Sequence, residues 1–184
     1  MGGPGDDNRP VTRRVLVVAR WYPSHDNPGR GTFVADQAAA LRDAGAEVAV
    51  VAWEPVLLSG LDGPDREARL GLVRRWAEVI ADAAPLARPV HWGAPGVPVA
   101  RLPAPIPAGG DATRDPVDLA SLQAEMLVPF GLALAKRWSF DLIHAHGGLP
   151  DGLAAARLAD RLRVPRVVTE PASLLRERLA APPA

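Results

Sequence analysis

Short, largely apolar runs rich in β-branched residues recur along the chain, separated by stretches with helical periodicity. Four such runs stand out, at 15–19, 47–52, 140–145 and 166–169. Apolar runs of this length are typical of parallel strands that are covered on both faces. Their alternation with helical stretches predicts an α/β fold, a Rossmann-like doubly wound parallel sheet in a single domain.

The stretch between the first two strands predicts a helix from Thr32 to about Ala44. Thr32 is suited to cap this helix, and Gly45 stands where a glycine commonly ends one. The predicted inner face consists of Phe33, Val34, Ala38 and Leu41. Strand, helix and strand together form one right-handed βαβ unit.

The whole pattern predicts one domain at 13–180 after a disordered leader at 1–12. The segment at about 85–116 is predicted to be irregular, because its many prolines exclude long helices. The further predicted elements are a helix at 65–83, a short strand at 97–102, a helix at 117–138 that Pro129 kinks or interrupts, a helix at 150–162 and a helix from Ser173.

Composition and charge exclude several classes of function. The 21 basic residues balance 21 acidic ones, which argues against a nucleic-acid partner. The absence of cysteine excludes disulfides and thiolate chemistry. Because no apolar run reaches the roughly 18 residues of a membrane span, and no secretory signal is recognisable, we expect a cytoplasmic location, with peripheral attachment to the inner membrane face as an option.

The loop at 20–31 contains two glycines, Gly29 and Gly31. A dinucleotide fingerprint would need its first glycine directly after the strand and a third glycine where Val34 stands. A nucleotide-dependent oxidoreductase is therefore a disfavoured alternative. The two glycines either let the backbone approach an anionic ligand at the helix N-terminus or only permit a turn.

His144 and His146 lie at the carboxyl end of a predicted strand, where α/β proteins bind ligands. Residues two apart on a strand share a face, so both imidazoles point the same way. We predict that His144 packs or hydrogen-bonds inside the sheet and that His146 contacts a substrate. The pair would need further ligands from other strands to hold a metal ion, and we assign no metal.

Four segments, in this order, resemble the N-terminal domain of the subfamily-4 (GT4) glycosyltransferases, which are retaining enzymes of GT-B architecture. They are Val-Leu-Val-Val-Ala-Arg-Trp-Tyr-Pro-Ser with Asp-Asn-Pro-Gly-Arg-Gly-Thr-Phe-Val, the segment 37–51, Phe-Asp-Leu-Ile-His-Ala-His-Gly-Gly-Leu-Pro-Asp-Gly, and Val-Pro-Arg-Val-Val-Thr-Glu at 164–170. The resemblance covers about 13–55 and 138–178.

The resemblance implies two Rossmann-like domains with the active site in the cleft between them. The N-terminal domain would hold a hydroxyl acceptor, either a saccharide or lipid-linked, and the C-terminal domain would hold a nucleotide-sugar donor. His146 would be the catalytic residue, donating a hydrogen bond beside the transferring sugar. The other implied site residues are Gly29, Gly31 and Thr32 near the donor diphosphate, and Trp21, Tyr22, Asp151 and Glu170 on the acceptor side.

Two departures from the family pattern bear on activity. Pro171 stands where a histidine commonly follows Thr169-Glu170, and the family's donor-binding pair of glutamates separated by seven residues does not occur in this sequence. We therefore expect the chain to be inactive alone, as a truncated gene product or as half of a split enzyme whose donor domain comes from a partner chain. The alternative is a non-catalytic module that binds a sugar or lipid acceptor or pairs with a partner. No cofactor is assigned.

Overall fold

The computed structural model describes residues 12–58, 96–107 and 116–170. Within these ranges, five parallel strands form one sheet in the order β3-β2-β1-β4-β5. The strands are β1 (Arg14–Ala19), β2 (Glu47–Leu58), β3 (Val99–Pro107), β4 (Leu142–His146) and β5 (Arg166–Thr169). The helices are α1 (Thr32–Asp43), α2 (Pro116–Ala135) and α3 (Leu153–Leu162), and a π-helical turn at Gly148–Gly152 precedes α3. The predicted α/β fold with a parallel Rossmann-like sheet is confirmed.

The two faces of the sheet explain why β1 is apolar at every position from 15 to 19. Leu16 and Val18 belong to a buried cluster that includes side chains of α2 and α3. Val15 and Val17 belong to a second cluster, which includes Val34 of α1. Because alternate residues of a strand point to opposite faces, a sheet with a core on each side requires an unbroken apolar run.

The carboxyl end of α1 follows the prediction from its sequence. Gly45 has a φ of 93°, and its N–H donates to the carbonyl of Arg42 at 2.8 Å. The N–H of Ala46 donates to the carbonyl of Leu41 at 3.1 Å. These two bonds form a Schellman motif, in which glycine adopts the left-handed conformation at low steric cost.

The start of α1 corrects two predictions. Thr32 is the first helical residue and not the cap, because Gly31, with a φ of 67°, takes the cap position. Phe33 does not belong to the inner face, since 36% of it is exposed while Val34 and Ala38 are buried. Successive helical residues differ by about 100° around the axis, so Phe33 falls outside the stripe that Val34 and Ala38 share.

The strand β3 is longer than predicted and runs into the proline-rich segment. It pairs with β2 as far as Pro107, with Val50 opposite Val99. The N–H of Val50 donates to the carbonyl of Pro98 at 2.9 Å, so the N–H groups at Val99 and every second residue after it point away from β2. The prolines at 103, 105 and 107 all occupy this outward set, where the missing N–H breaks no bond to β2.

Other boundaries shift by a few residues. His146 is the last residue of β4, and β2 continues past its predicted end to Leu58. Helix α2 continues through Pro129 to Ala135, so the proline does not interrupt it. The predicted leader up to residue 11, the predicted helices at 65–83 and from Ser173, and Pro171 lie outside the described residues. Within the described ranges, no helix is long and apolar enough to cross a membrane.

Candidate functional site

The candidate site lies where the strand order reverses. Strand β1 has β2 on one side and β4 on the other. In the strand register, Ala19 lies opposite His146, and His146 lies opposite Thr169. The segments that follow β1 and β4 diverge at this edge, and such a switch point forms the crevice in which open α/β sheets bind ligands.

His146 is buried, and both of its ring nitrogens are without a hydrogen-bond partner among the described residues. Its ring centroid lies 4.4 Å from that of His144 and 6.1 Å from that of Phe33, in the first turn of α1. Burial and, secondly, the neighbouring His144 lower the pKa of His146 to about 4. The imidazole is therefore neutral near pH 7 and has one donor and one acceptor nitrogen for a ligand in the crevice.

His144 is bonded within the sheet. A hydrogen bond of 2.8 Å joins its Nε2 to the hydroxyl of Thr169 on the neighbouring strand β5. Burial lowers the pKa of His144. The contact confirms the prediction that His144 hydrogen-bonds inside the sheet.

Asp151 lies in the interior, with 2% of its surface exposed. Its Oδ2 accepts the backbone N–H of Arg20 at 2.9 Å, and its Oδ1 accepts the indole N–H of Trp53 at 2.8 Å. Burial raises the pKa of this carboxyl to about 7, although the two N–H donors favour the charged form. The carboxylate therefore joins Arg20 at the end of β1 and Trp53 within β2 to the turn after β4. A contact of Asp151 with an acceptor stays a prediction.

Backbone hydrogen bonds hold the turn between β4 and α3. Gly147 has a φ of 111°, its N–H donates to the carbonyl of Thr169 at 2.8 Å, and its carbonyl accepts the N–H of Gly152 at 2.9 Å. The N–H of Gly148 donates to Oε2 of Glu170 at 2.6 Å. Glu170 is thus placed at the turn that follows His146, while its acceptor contact stays a prediction.

The two glycines of the loop after β1 differ in whether the structure has room for a side chain. At Gly31 a Cβ would lie 2.2 Å from the carbonyl oxygen of Trp21, whereas at Gly29 it would meet nothing within 4 Å. Gly31 is therefore needed for the close passage of two backbone segments. The ring contact between Phe33 and His146 places the N-terminus of α1, with Gly31 and Thr32, beside the crevice. Proximity of these residues to a diphosphate stays a prediction.

The two aromatic residues of the same loop are placed differently. Trp21 is 45% exposed and is accessible to a ligand, whereas Tyr22 is 2% exposed and packs in the cluster beneath α1. Arg101 on β3 donates from Nη2 to the carbonyl of Pro23 and so ties the loop to the sheet. Tyr22 therefore supports the loop from inside, and an acceptor contact stays a prediction for both aromatic residues.

Trp53, the donor to Asp151, is not among the site residues predicted from the sequence. Trp53 directly follows Ala52, which pairs with Ala19 and thus lies in the same row of the sheet as His146. A buried tryptophan usually finds a partner for its N–H. That rule predicts a hydrogen bond for the indole N–H of Trp53. It does not predict the partner, because Asp151 lies in a turn 98 residues further along the chain.

Comparison with known protein families gives one result that bears on the whole site. The model of a glycosyl transferase 4-like domain matches residues 29–184. A comparison with curated proteins gave no match. The family match includes His146 and the turn after it as well as α1. Because the match spans most of the chain and agrees with the parallel sheet, this protein belongs to the family of glycosyl transferase 4-like domains.

Proposed function

We propose that this domain is the acceptor side of a retaining glycosyltransferase, which moves a sugar from a nucleotide-sugar to a hydroxyl acceptor. The observation that carries the proposal is the neutral, buried imidazole of His146, whose two ring nitrogens have no partner among the described residues. A site of this kind is poised for a ligand, because buried polar atoms are almost always bonded in the working state.

His146 is assigned to the reaction centre. Transfer breaks the bond between the anomeric carbon and the donor diphosphate and forms a bond from that carbon to the acceptor oxygen. The hydroxyl proton of the acceptor passes to the departing diphosphate. A neutral imidazole donates one hydrogen bond to the sugar without adding a full charge to the crevice. A donor held in place before the reaction stabilises the charge that develops on the transition state.

The donor diphosphate is assigned to the N-terminus of α1. Free N–H groups of a first helical turn and the positive end of the helix dipole favour an anion. The cap residue Gly31 has no side chain that would compete for these N–H groups, and Phe33 brings the same turn to His146. Gly29 and Thr32 flank this position and complete the proposed diphosphate loop.

The acceptor is assigned to the other wall of the crevice, along the loop that carries Trp21 and the carboxyl end of β5, where Glu170 follows Thr169. The exposed ring of Trp21 offers a surface for a sugar or a lipid-linked acceptor. A lipid-linked acceptor would bring the enzyme to the inner face of the membrane. The donor nucleotide is assigned to a second domain, in the same chain or another, because the family's glutamate pair does not occur within 1–184.

The test is release of nucleoside diphosphate from a panel of nucleotide-sugars, with and without a separately produced donor domain of the same family. We expect turnover only with the second domain. His146→Gln should lower kcat about 100-fold or more, the usual cost of removing a preorganised donor. Lys136→Gln is the control, because Lys136 is exposed and lies just before β4 begins, at the opposite edge of the sheet from the crevice.

Three results would contradict the proposal or part of it. A full rate in His146→Gln would remove His146 from the reaction centre. Robust transfer by residues 1–184 alone would contradict the need for a second domain. Acceptor binding without any transfer in the combined system would favour a non-catalytic binding module.

A further inference from the structure

One carboxylate connects three neighbouring strands at the switch point. Ala52, Ala19 and His146 lie side by side in the register of β2, β1 and β4. Trp53 and Arg20, which follow the first two of these residues, both donate to the carboxylate of Asp151. Asp151 belongs to the turn that follows the third strand. The side chain therefore links β2, the residue after β1 and the turn after β4 in the interior of the domain.

We infer that Asp151, held by Trp53, is a positioning residue that sets the place of His146 in the crevice. The imidazole of His146 has no hydrogen bond to a described residue that could orient it. Its position depends on the backbone at 146–147 and on packing. Asp151 controls that backbone, since the turn closes through Gly152 to Gly147.

The inference rests on the contacts of Asp151 and not on its location alone. A Cβ added to Gly147 would lie 3.4 Å from Oδ2 of Asp151, so the carboxylate packs directly against the residue after His146. The same oxygen accepts the N–H of Arg20, the first residue beyond β1. A shift of this carboxylate would therefore move both walls of the crevice.

A carboxylate suits this place because two N–H donors converge on it. Above a pH of about 7 the carboxylate is ionised and only accepts hydrogen bonds, and bonds to a charged acceptor are stronger than neutral ones. An asparagine at 151 would offer one oxygen and one NH₂ group. Its NH₂ group would then face either the indole N–H of Trp53 or the backbone N–H of Arg20, and one donor would lose its acceptor.

The test uses side-chain NMR spectra of the four histidines in the full chain labelled with ¹⁵N. The His146 signal is assigned with His146→Gln. We expect Trp53→Phe, which keeps an aromatic ring and removes the N–H, to change the ring shifts of His146 and its titration curve. Asp151→Asn should cause a larger change. In the double variant Trp53→Phe/Asp151→Asn the change in the His146 signal should be smaller than in Asp151→Asn. The reason is that the indole N–H, which would face the NH₂ group of the asparagine, is no longer present.

Two control variants separate positioning from a general loss of stability. Trp138→Phe removes an indole N–H bond of 3.2 Å to Glu47 at the opposite edge of the sheet. Leu158→Ala removes a fully buried side chain between α2 and α3. Both should leave the His146 signal unchanged.

Unchanged His146 signals in Trp53→Phe and Asp151→Asn would overturn the inference, and so would additive effects of the two substitutions. If Asp151→Asn does not fold, Trp53→Phe with Trp138→Phe decides the question alone. The inference rests on the proposed function only in giving His146 a catalytic task. Because the NMR readout needs no substrate, failure of sugar transfer and failure of positioning are recorded separately.

Discussion

Gly31 shows how one residue permits the loop after β1. Its φ of 67° and the carbonyl oxygen of Trp21, 2.2 Å from a hypothetical Cβ, leave no room for a side chain. We expect Gly31→Ala to lower the free energy of unfolding by about 1–3 kcal/mol, because strain at such a position has to be carried by the backbone. Urea denaturation followed by circular dichroism measures this loss.

Gly29→Ala is the matched control for Gly31→Ala. At Gly29 a Cβ would meet nothing within 4 Å, so the free energy of unfolding should change by less than about 0.5 kcal/mol. An equal loss in the two variants would contradict the steric explanation. If the backbone at Gly29 approaches the donor, Gly29→Ala should weaken donor binding while stability is kept.

At the scale of residues, the sequence predicts the relative position of the two histidines but not which residues they contact. Strand parity alone assigns His144 and His146 to one face, and the structure confirms their close approach. The structure added the hydrogen-bond partner of His144, which is Thr169 on a neighbouring strand. Sequence spacing cannot supply that contact, since it depends on how two strands are registered.

Helices α2 and α3 cross at a glycine. A Cβ on Gly131 would lie 2.3 Å from Cδ2 of Leu158, and Leu158 is fully buried. We expect Gly131→Ala to lower the free energy of unfolding by about 1–3 kcal/mol through overpacking. Leu158→Ala should lower it by about 2–5 kcal/mol through loss of buried surface and the resulting cavity.

The double variant Gly131→Ala/Leu158→Ala tests whether the two effects share one contact. The smaller side chain at 158 makes room for the new methyl group, so the double variant should lose less stability than the sum of the single losses. Strict additivity, measured by urea denaturation of all four proteins, would show that the crossing adjusts without contact between these two positions.

At the scale of elements, the sequence predicts correctly those segments whose structure depends mainly on their own residues. The Schellman motif at Gly45 and the strand at 166–169 are examples. The start of α1 was not predictable in this way, because Gly31 takes the cap position owing to the carbonyl of Trp21, ten residues earlier. The prolines at 103, 105 and 107 predict an irregular segment, but β3 accommodates them because every second residue of this edge strand directs its N–H position away from β2.

At the scale of the whole molecule, the titrations of Asp151 and His146 change the free energy of unfolding with pH in opposite directions. Burial raises the pKa of Asp151 from 3.8 to about 7, so in this range the folded chain holds a proton that the unfolded chain has lost. Its contribution to the free energy of unfolding therefore falls as the pH rises. The pKa of His146 is lowered from 6.5 to about 4, so the unfolded chain holds the extra proton, and this contribution rises with pH.

Single variants should separate the two contributions. Relative to the wild type, the free energy of unfolding of Asp151→Asn should rise as the pH increases from 4 to 7, because the falling contribution of Asp151 is gone. Relative to the wild type, that of His146→Gln should fall as the pH increases from 4 to 6.5, because the rising contribution of His146 is gone. Each slope is limited to about 1.4 kcal/mol per pH unit for one proton. Urea denaturation at half-unit steps measures them, and parallel pH profiles for the three proteins would contradict both assignments.

The sequence by itself determined the parallel sheet, the two-sided core and the shared face of His144 and His146, because apolar periodicity and strand parity act over a few neighbouring residues. Only the tertiary structure decided which polar groups meet at the crevice. Trp53, Arg20 and Asp151 are far apart in the chain and become neighbours when β2, β1 and β4 align in register. Burial of Asp151 and His146 is likewise a product of the assembled layers, and it is this burial that moves their pKa values.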